Sequence, residues 1–339
     1  MHMADALLSP AVGGAMWLAS GTALAVASRH LRARPDDARV PLMGLLGAFV
    51  FAAQMINFGI PGTGSSGHLG GALLLAILLG PHAAFVVVAS VLTVQALFFA
   101  DGGLLALGAN IFNIGVLPCY VAYPLVYRPL AGAAPTPRRL ALAATAAAVV
   151  GLQLGALGVV LQTVASGISS LPFVPFLALM QPIHLAIGVA EGLATAALVA
   201  FLRRERPGVL AAAVAPSPGS NARALPWRRI ALAALVTGGV LSWFASSAPD
   251  GLEWSIERTA GAALTAPADG VHAALAAVQE RTAVLPDYAL PGAASADADG
   301  EAQAWPAVDA GTTLAGIVGG ALTLAVVAAV GVVLRRRRG

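Results

Sequence analysis

The sequence predicts an all-α polytopic membrane protein. Apolar residues make up 58% of the 339-residue chain and charged residues only 10%, whereas an average soluble domain carries roughly 25% charged residues. The mean hydropathy is +0.82, and the apolar residues form runs long enough to cross a bilayer. The pI of about 9.6 does not indicate nucleic-acid binding, because the arginines cluster between these runs.

We predict about nine membrane spans, each ended by arginines, a proline or a polar turn. They are Leu8–Ser28, Val40–Phe58, His68–Gly80, Ala83–Ala100, Leu104–Tyr127, Leu140–Val164, Phe176–Leu202, Ile230–Ser247 and Thr313–Leu334. The third span ends at Pro81 and is shorter than the roughly 20 residues that cross a bilayer squarely. We therefore expect it to be tilted, partly re-entrant or packed inside the bundle.

The arginines predict the orientation of these spans. All 19 basic residues are arginines, and placing every arginine-rich loop in the cytoplasm makes the spans alternate consistently. The N-terminus, the loop before His68 and a loop at 248–312 then lie outside, and the C-terminus lies inside. We expect the plasma (inner) membrane of a prokaryote.

Composition divides the chain into two modules. A seven-span unit covers 1–206, a Pro/Gly/Ser/Ala-rich stretch at 207–226 is typical of a flexible cytoplasmic linker, and a two-span module covers 227–339. The external loop at 248–312 has thin apolar patterning apart from one predicted helix, Gly270–Val284. We expect this loop to pack loosely, or to become ordered only against the seven-span unit.

The N-terminus carries the chemistry of a metal chelator. The α-amine of Met1, the backbone amide of His2 and the imidazole Nδ1 of His2 close two fused chelate rings around one ion. This planar arrangement suits Ni²⁺ and Cu²⁺, followed by Co²⁺. The start lacks the basic region of a signal peptide, and His2 is too bulky for methionine aminopeptidase, so we expect Met1 to be retained. The alternative is an ordinary frayed terminus.

His68 is the candidate for the fourth nitrogen, because the predicted topology puts it on the same side of the membrane as the terminus. It lies within the glycine-rich segment Gly62–Gly71, where backbones can approach closely. Asp5 is placed to accept a hydrogen bond from the amine or an imidazole. The alternative for His68 is a histidine at the membrane interface, with its polar tip in water.

Other polar residues lie at membrane depth or beside His68, where they need an explanation. Ser66 belongs to the glycine-rich loop, and we group it with the supporting residues. Asn110 and Asn113 share a helical face and either steady this loop or join helices. His184 and Glu191 also share a face and form either a second cation station or an internal structural pair.

Several enzyme classes are excluded by missing motifs. No P-loop and no His-Glu-x-x-His occurs, so this chain neither hydrolyses ATP nor carries the zinc-protease arrangement. Ser65 and Ser66 lack the Gly-x-Ser-x-Gly frame of a nucleophilic serine. The single cysteine, Cys119, excludes a disulfide framework and is typical of a small buried residue. We therefore expect a protein that is not an enzyme and has no resident cofactor.

Several separated motifs resemble the CbiM/NikM proteins, the substrate-capturing components of energy-coupling-factor (ECF) transporters for cobalt and nickel. They are Met1–Pro10, Pro61–His68, Ala100–Leu104 and Gly108–Asn113. Pro249–Trp254 resembles the Pro-Asp-Gly-Leu-Glu signature of the small CbiN/NikN partner subunit, here fused to the same chain. The resemblance covers nearly the whole chain apart from the linker.

The resemblance implies a seven-helix ECF substrate-binding unit followed by a two-span module. It implies that Ni²⁺ or Co²⁺ is the transported ligand, held by the Met1 amine, the His2 amide and imidazole, and His68. It also implies a transmembrane coupling subunit (CbiQ/NikQ-like) and cytoplasmic ATPase subunits (CbiO/NikO-like) as partners. The planar nitrogen set and the NikN-like signature favour nickel. A hypothesis of a different class is a passive channel or carrier for a small solute, with His2 incidental.

Overall fold

The computed structural model describes residues 1–33, 39–205, 227–262, 264–290 and 305–336. These residues form helices and one small hairpin. In chain order they are α1 Pro10–Ala33, α2 Arg39–Gln54, β1 Phe58–Ile60, β2 Ser65–Gly67, α3 Ala72–Leu79, α4 Pro81–Phe98, α5 Leu107–Ala131, α6 Pro137–Ser166, α7 Phe173–Glu205, α8 Trp227–Gly239, α9 Gly251–Ala260, α10 Gly270–Thr282 and α11 Ala310–Arg336.

The helical class predicted from composition is confirmed. Among the described residues, six helices are long and apolar enough to cross a membrane, namely α1, α4, α5, α6, α7 and α11. Helix α2 adds a shorter apolar segment, Val40–Gln54. The count of nine spans and their orientation stay predictions, and the linker at 207–226 lies outside the described residues.

The predicted third span begins differently from expectation. Strands β1 and β2 form an antiparallel hairpin, with Phe58 opposite Gly67, and the helix proper begins only at Ala72. Glycines make this possible, since Gly62 and Gly64 in the hairpin turn and Gly71 before the helix all have positive φ values. All residues of α3 are buried, so this short segment is packed inside the bundle.

Helix α5 begins where α1 crosses it at very close range. A Cβ built on Gly108 would lie 2.5 Å from the backbone nitrogen of Trp17, so only glycine permits this approach. The Ser20 hydroxyl donates to the Gly108 carbonyl at 2.6 Å. The crossing fixes the start of α5, and with it the loop between α4 and α5.

Farther along, α5 adopts wide π-type turns over Ile111–Tyr127, a stretch that contains Pro118 and Pro124. Prolines remove backbone donors from a regular helical ladder, and such departures are frequent at functional sites. Cys119 is buried in this stretch, in agreement with its predicted role.

The second module packs against the first through its two long helices and its loop. Helices α8 and α11 both lie on α2, and they approach each other where Gly238 faces Gly316. The predicted helix in the loop is present as α10. Its His272 donates a hydrogen bond from Nε2 to the Leu8 carbonyl at 2.9 Å. Of the two alternatives predicted for this loop, its described residues agree with the second, since the loop is ordered against the first unit.

The crossing of α1 and α5 generates a testable prediction. Gly108→Ala should lower the free energy of unfolding by about 1–3 kcal/mol, because the new methyl group overlaps the Trp17 backbone. Thermal unfolding of the detergent-solubilised protein measures this change. Gly21→Ala on the other helix of the crossing, α1, is the matched control, since no atom lies within 4 Å of its Cβ position. Equal stability of both variants would contradict the close crossing.

Candidate metal centre

The amino terminus is threaded into the protein and bonded there. Met3 is fully buried, and its N–H donates to Asn110 Oδ1 at 2.8 Å, while Asn110 Nδ2 donates back to the Met3 carbonyl at 3.2 Å. The Gly103 N–H donates to the same carbonyl at 3.0 Å. Because one amide side chain satisfies both backbone groups of Met3, the terminus is held in a single position.

Two of the predicted supporting residues, Asn110 and Asp5, act on other segments than expected. Asn110 holds the terminus and does not contact the glycine-rich loop. Asn113 instead exchanges hydrogen bonds of 2.8 and 3.0 Å with Gln162 of α6, which joins two helices, the alternative left open by the sequence. Asp5 does not contact the amine or an imidazole, since its Oδ1 accepts the Ala106 N–H at 2.9 Å. Asp5 therefore fixes the chain that follows the terminus.

The structure brings His2 and His68 together. Their rings are stacked, with centroids 5.1 Å apart and planes inclined by 17°. The Nδ1 of His68 lies 3.3 Å from the Leu69 carbonyl. A hydrogen bond from Nδ1–H to this carbonyl leaves Nε2 with a free lone pair, the tautomer required of a metal ligand.

Glu191 holds the backbone that follows His68. Its carboxylate accepts the N–H of Gly70 at 2.8 Å and that of Gly71 at 3.1 Å. Gln54 Nε2 donates to the Gly70 carbonyl at 2.8 Å. Both polar groups of the Gly70 peptide are thereby bonded, so the loop carrying His68 is rigidly positioned.

His184 and Glu191 do not form the structural pair that their spacing suggested, because the Glu191 carboxylate turns toward the glycine backbone. His184 instead donates from Nδ1 to the Met180 carbonyl at 2.7 Å. Its Nε2 is buried and has no hydrogen-bond partner among the described residues.

Two carboxylates hold the donors of the terminus. The Met1 amine lies 3.2 Å from Asp250 Oδ2, and His2 Nδ1 lies 2.8 Å from Asp101 Oδ1. Burial acts to raise the pKa of both carboxyl groups, but the opposing charge of the amine holds the pKa of Asp250 well below its usual value. His2, with a hydrogen bond from Tyr288, brings the pKa of Asp101 to about 2. Both groups are therefore anionic near neutral pH.

His68 is neutral under the same conditions. Burial and the neighbouring positive charge of the terminal amine lower its pKa to about 3. Protons therefore do not compete for the His68 imidazole at physiological pH, and its lone pair is available to a cation.

Ser66 fastens the second module onto the hairpin that precedes His68. The Ser66 N–H donates to the Pro249 carbonyl at 2.8 Å, and its hydroxyl donates to the Ala248 carbonyl at 2.7 Å. These bonds place Asp250 beside the Met1 amine. The Oδ1 of Asp250 also caps helix α9 by accepting the N–H groups of Leu252 and Glu253, each at 2.8 Å.

Sequence reasoning did not place Asp250 and Asp101 beside the terminus. The Asp-x-x-Glu pattern of Asp250 and Glu253 does predict a capping box, which is present. Nothing in the local pattern indicates that the second oxygen of the same carboxylate reaches the Met1 amine.

A cavity of about 20 Å³ lies beside the Met1 amine and is lined by Met1, His68, His184 and Asp250, among others. This volume accommodates one small species such as a water molecule or an ion. Within the described ranges, no three His, Cys, Asp or Glu side chains lie close enough to hold a metal ion by themselves. The terminal amine and backbone amides are the further nitrogen donors at this position.

Helices long and apolar enough to span a membrane surround a buried cluster of nitrogen donors, and nitrogen donors are ligands that transition-metal ions prefer. Residues 2–209 match the family described as "cobalt uptake substrate-specific transmembrane region", and residues 226–336 match the PDGLE domain. The chain belongs to the CbiM family of transition-metal uptake components and carries a fused PDGLE domain.

Curated relatives have the same two-part organisation. The chain is 33% identical over 334 residues to the putative fused nickel transport protein NikMN of Archaeoglobus fulgidus, which covers 96% of each chain. It is 35% identical over 318 residues to the fused nickel transport protein NikMN of Rhodobacter capsulatus, covering 85% of this chain and 88% of the relative.

One solved structure supports the same assignment. The crystal structure of a truncated transition metal transporter is 30% identical, with a TM-score of 0.51, and the match covers 60% of this chain and 99% of that one. The protein is accordingly a multi-pass membrane component of metal uptake.

The Asn110–Met3 pairing generates a prediction. Asn110→Ala should release the terminus, because Met3 would lose the partners of two buried backbone groups. Hydrogen exchange followed by mass spectrometry should show loss of protection over residues 3–8. Asn57→Ala is the matched control, since Asn57 contributes its backbone carbonyl to a contact with Ser246. Unchanged protection in Asn110→Ala would contradict the role assigned to this side chain.

Proposed function

We propose that this protein captures Ni²⁺ or Co²⁺ through the Met1 amine, the His2 amide and imidazole, and His68. The observation that carries the proposal is the stacking of His2 on His68, with ring centroids 5.1 Å apart, beside a buried terminal amine. Four nitrogen donors of this kind match the preference of d⁸ and d⁹ ions for planar coordination.

Capture of the ion requires that the carboxylates give up their present partners. The amine must leave Asp250 and lose its proton, and the His2 amide must lose its proton as well, because only deprotonated nitrogens bind metals. His2 Nδ1 must also exchange Asp101 for the ion. The two charges of the ion thus replace the two protons that leave, one from the ammonium group and one from the His2 amide. The two anionic side chains remain nearby and stabilise that charge.

We further propose that the protein acts as the substrate-capturing component of an ECF transporter. A transmembrane coupling subunit and cytoplasmic ATPase subunits would supply the energy, in accord with the absence of a P-loop from this sequence. The site would face the outside of a prokaryotic plasma membrane, and the arginine-rich loops would face the cytoplasm.

The terminal chelate is tested by blocking its amine. One additional alanine before Met1, or acetylation of the amine, should weaken Ni²⁺ and Co²⁺ binding by at least about 100-fold. Either change removes a nitrogen that binds the ion directly, and loss of a group that only hydrogen-bonds a metal ligand already lowers metal affinity by about 10–100-fold. His68→Ala should have a similar effect. Calorimetry on the purified full-length protein with a free terminus measures these affinities.

The matched control for these variants is His30→Ala, which removes an exposed imidazole of α1. This variant should bind both ions as the unmodified chain does. Unchanged affinity in both the extended protein and His68→Ala would refute the assignment of the site.

Metal preference forms a separate prediction. Direct competition should give the affinity order Co²⁺ below Ni²⁺ below Cu²⁺, because planar nitrogen sites follow this order. Bound Ni²⁺ should show the ligand-field spectrum of a four-coordinate planar complex. A preference for Co²⁺ over Ni²⁺, with an octahedral spectrum, would contradict a planar chelate.

A further inference from the structure

The side chain of Met1 is seated where helices α5 and α6 meet. Its Cε and Sδ atoms lie against Gly155 of α6, since a Cβ built on that glycine would be 3.1 Å from Cε and 3.5 Å from Sδ. The same Cβ would be 3.1 Å from the Asn113 carbonyl oxygen of α5. Glycine at this position therefore leaves a groove between the two helices, and the flexible thioether of the first residue fills it.

Contacts between α5 and α6 keep this groove in shape. Asn113 exchanges two hydrogen bonds with Gln162, and a Cβ on Gly158 would lie only 2.4 Å from Asn113 Oδ1. A cavity of about 20 Å³ beside the Met1 side chain is lined mainly by residues of these helices and of α3. The side chain is thus enclosed by tightly packed helices.

The groove is separate from the carboxylate pairs at the terminus. Among the described residues, neither Asp250 nor Asp101 lines it, and these are the two partners that the proposed capture of an ion releases. The contacts that seat the Met1 side chain can therefore persist when the amine exchanges Asp250 for the ion.

We propose that the Met1 side chain is a positioning group of the metal site and that Gly155 provides the space it requires. The amine and the side chain share one Cα atom, so an anchored side chain restricts the positions open to the amine. Part of the entropy cost of ordering the terminus is then met before an ion arrives. This inference rests on the proposed function, because it takes the Met1 amine as a ligand of the ion.

The test is Met1→Ala in the full-length protein, which keeps the proposed nitrogen donors and removes only the thioether side chain. An alanine codon inserted directly after the start codon gives this variant, because methionine aminopeptidase removes the initiator ahead of a small residue and leaves alanine before His2. Intact-mass spectrometry verifies the terminus. Ni²⁺ and Co²⁺ affinity, measured by calorimetry, should fall about tenfold or more, because the terminus has lost its anchor.

Two controls separate positioning from the chemistry of the donors. Short synthetic peptides with the native and the substituted terminus should bind Ni²⁺ equally well, since neither has a groove to occupy. The ligand-field spectrum of Ni²⁺-saturated Met1→Ala should match that of the unmodified protein, because the same nitrogens bind the ion. Unchanged affinity in Met1→Ala, an equal loss in the peptides, or a changed spectrum would overturn the inference.

Gly155→Ala tests the other side of the same contact. The added methyl group crowds the Met1 Cε atom and should weaken binding of both ions, and the loss should be smaller in the Met1→Ala background, where that atom is missing. Gly151→Ala, about one turn earlier on α6, is the matched control, because its Cβ would make only an ordinary contact, 3.4 Å from the Ala122 Cβ. Equal losses from Gly155→Ala in both backgrounds would contradict the positioning role.

His68→Ala in the same series shows which proposal has failed. If His68→Ala loses metal binding while Met1→Ala and Gly155→Ala do not, only the role of the Met1 side chain is refuted. If none of these variants loses binding, the proposed metal site itself is wrong, and the role of the side chain falls with it.

Discussion

A charged amine cannot be buried in a membrane protein without a counter-charge, and this constraint organises the candidate metal centre. Met1 is 8% exposed, and an unpaired ammonium group at this position would carry a large desolvation cost. Asp250 supplies the counter-charge at 3.2 Å. Because Asp250 lies 249 residues away in the sequence, the terminus can be buried only if the second module is docked.

Burial of the terminus also constrains the backbone of the first unit. Met3 must find partners for its N–H and its carbonyl, which Asn110 and Gly103 provide. The chain at Gly103 passes so close to Asp5 that a Cβ there would overlap the carboxylate. Glycine at that position is therefore a requirement of the inserted terminus.

Under the proposed function, two of the nitrogen donors are paired with carboxylates in the metal-free chain. Asp250 and Asp101 occupy two of the donors, while His68 stays neutral with its loop fixed by Glu191. An incoming divalent ion displaces two protons, one from the ammonium group and one from the His2 amide, so the cluster gains little net charge on binding. This exchange limits the electrostatic cost of placing a divalent ion within the protein. It also accounts for the contribution of one anionic side chain from each module to the terminus, Asp101 to His2 and Asp250 to Met1.

Composition and local pattern determined the helical membrane class, the presence of a helix in the second module's loop, and the candidates Met1, His2 and His68. These features follow from the sequence because hydropathy and donor chemistry are properties of short segments. The tertiary structure alone decided that Asp101, Asp250 and Tyr288 meet the terminus, that Asn110 bonds Met3, and that a hairpin precedes α3. Such contacts depend on how distant segments pack. The sequence around a polar loop residue is compatible with many hydrogen-bond partners, and only the packed structure shows which of them lies within reach.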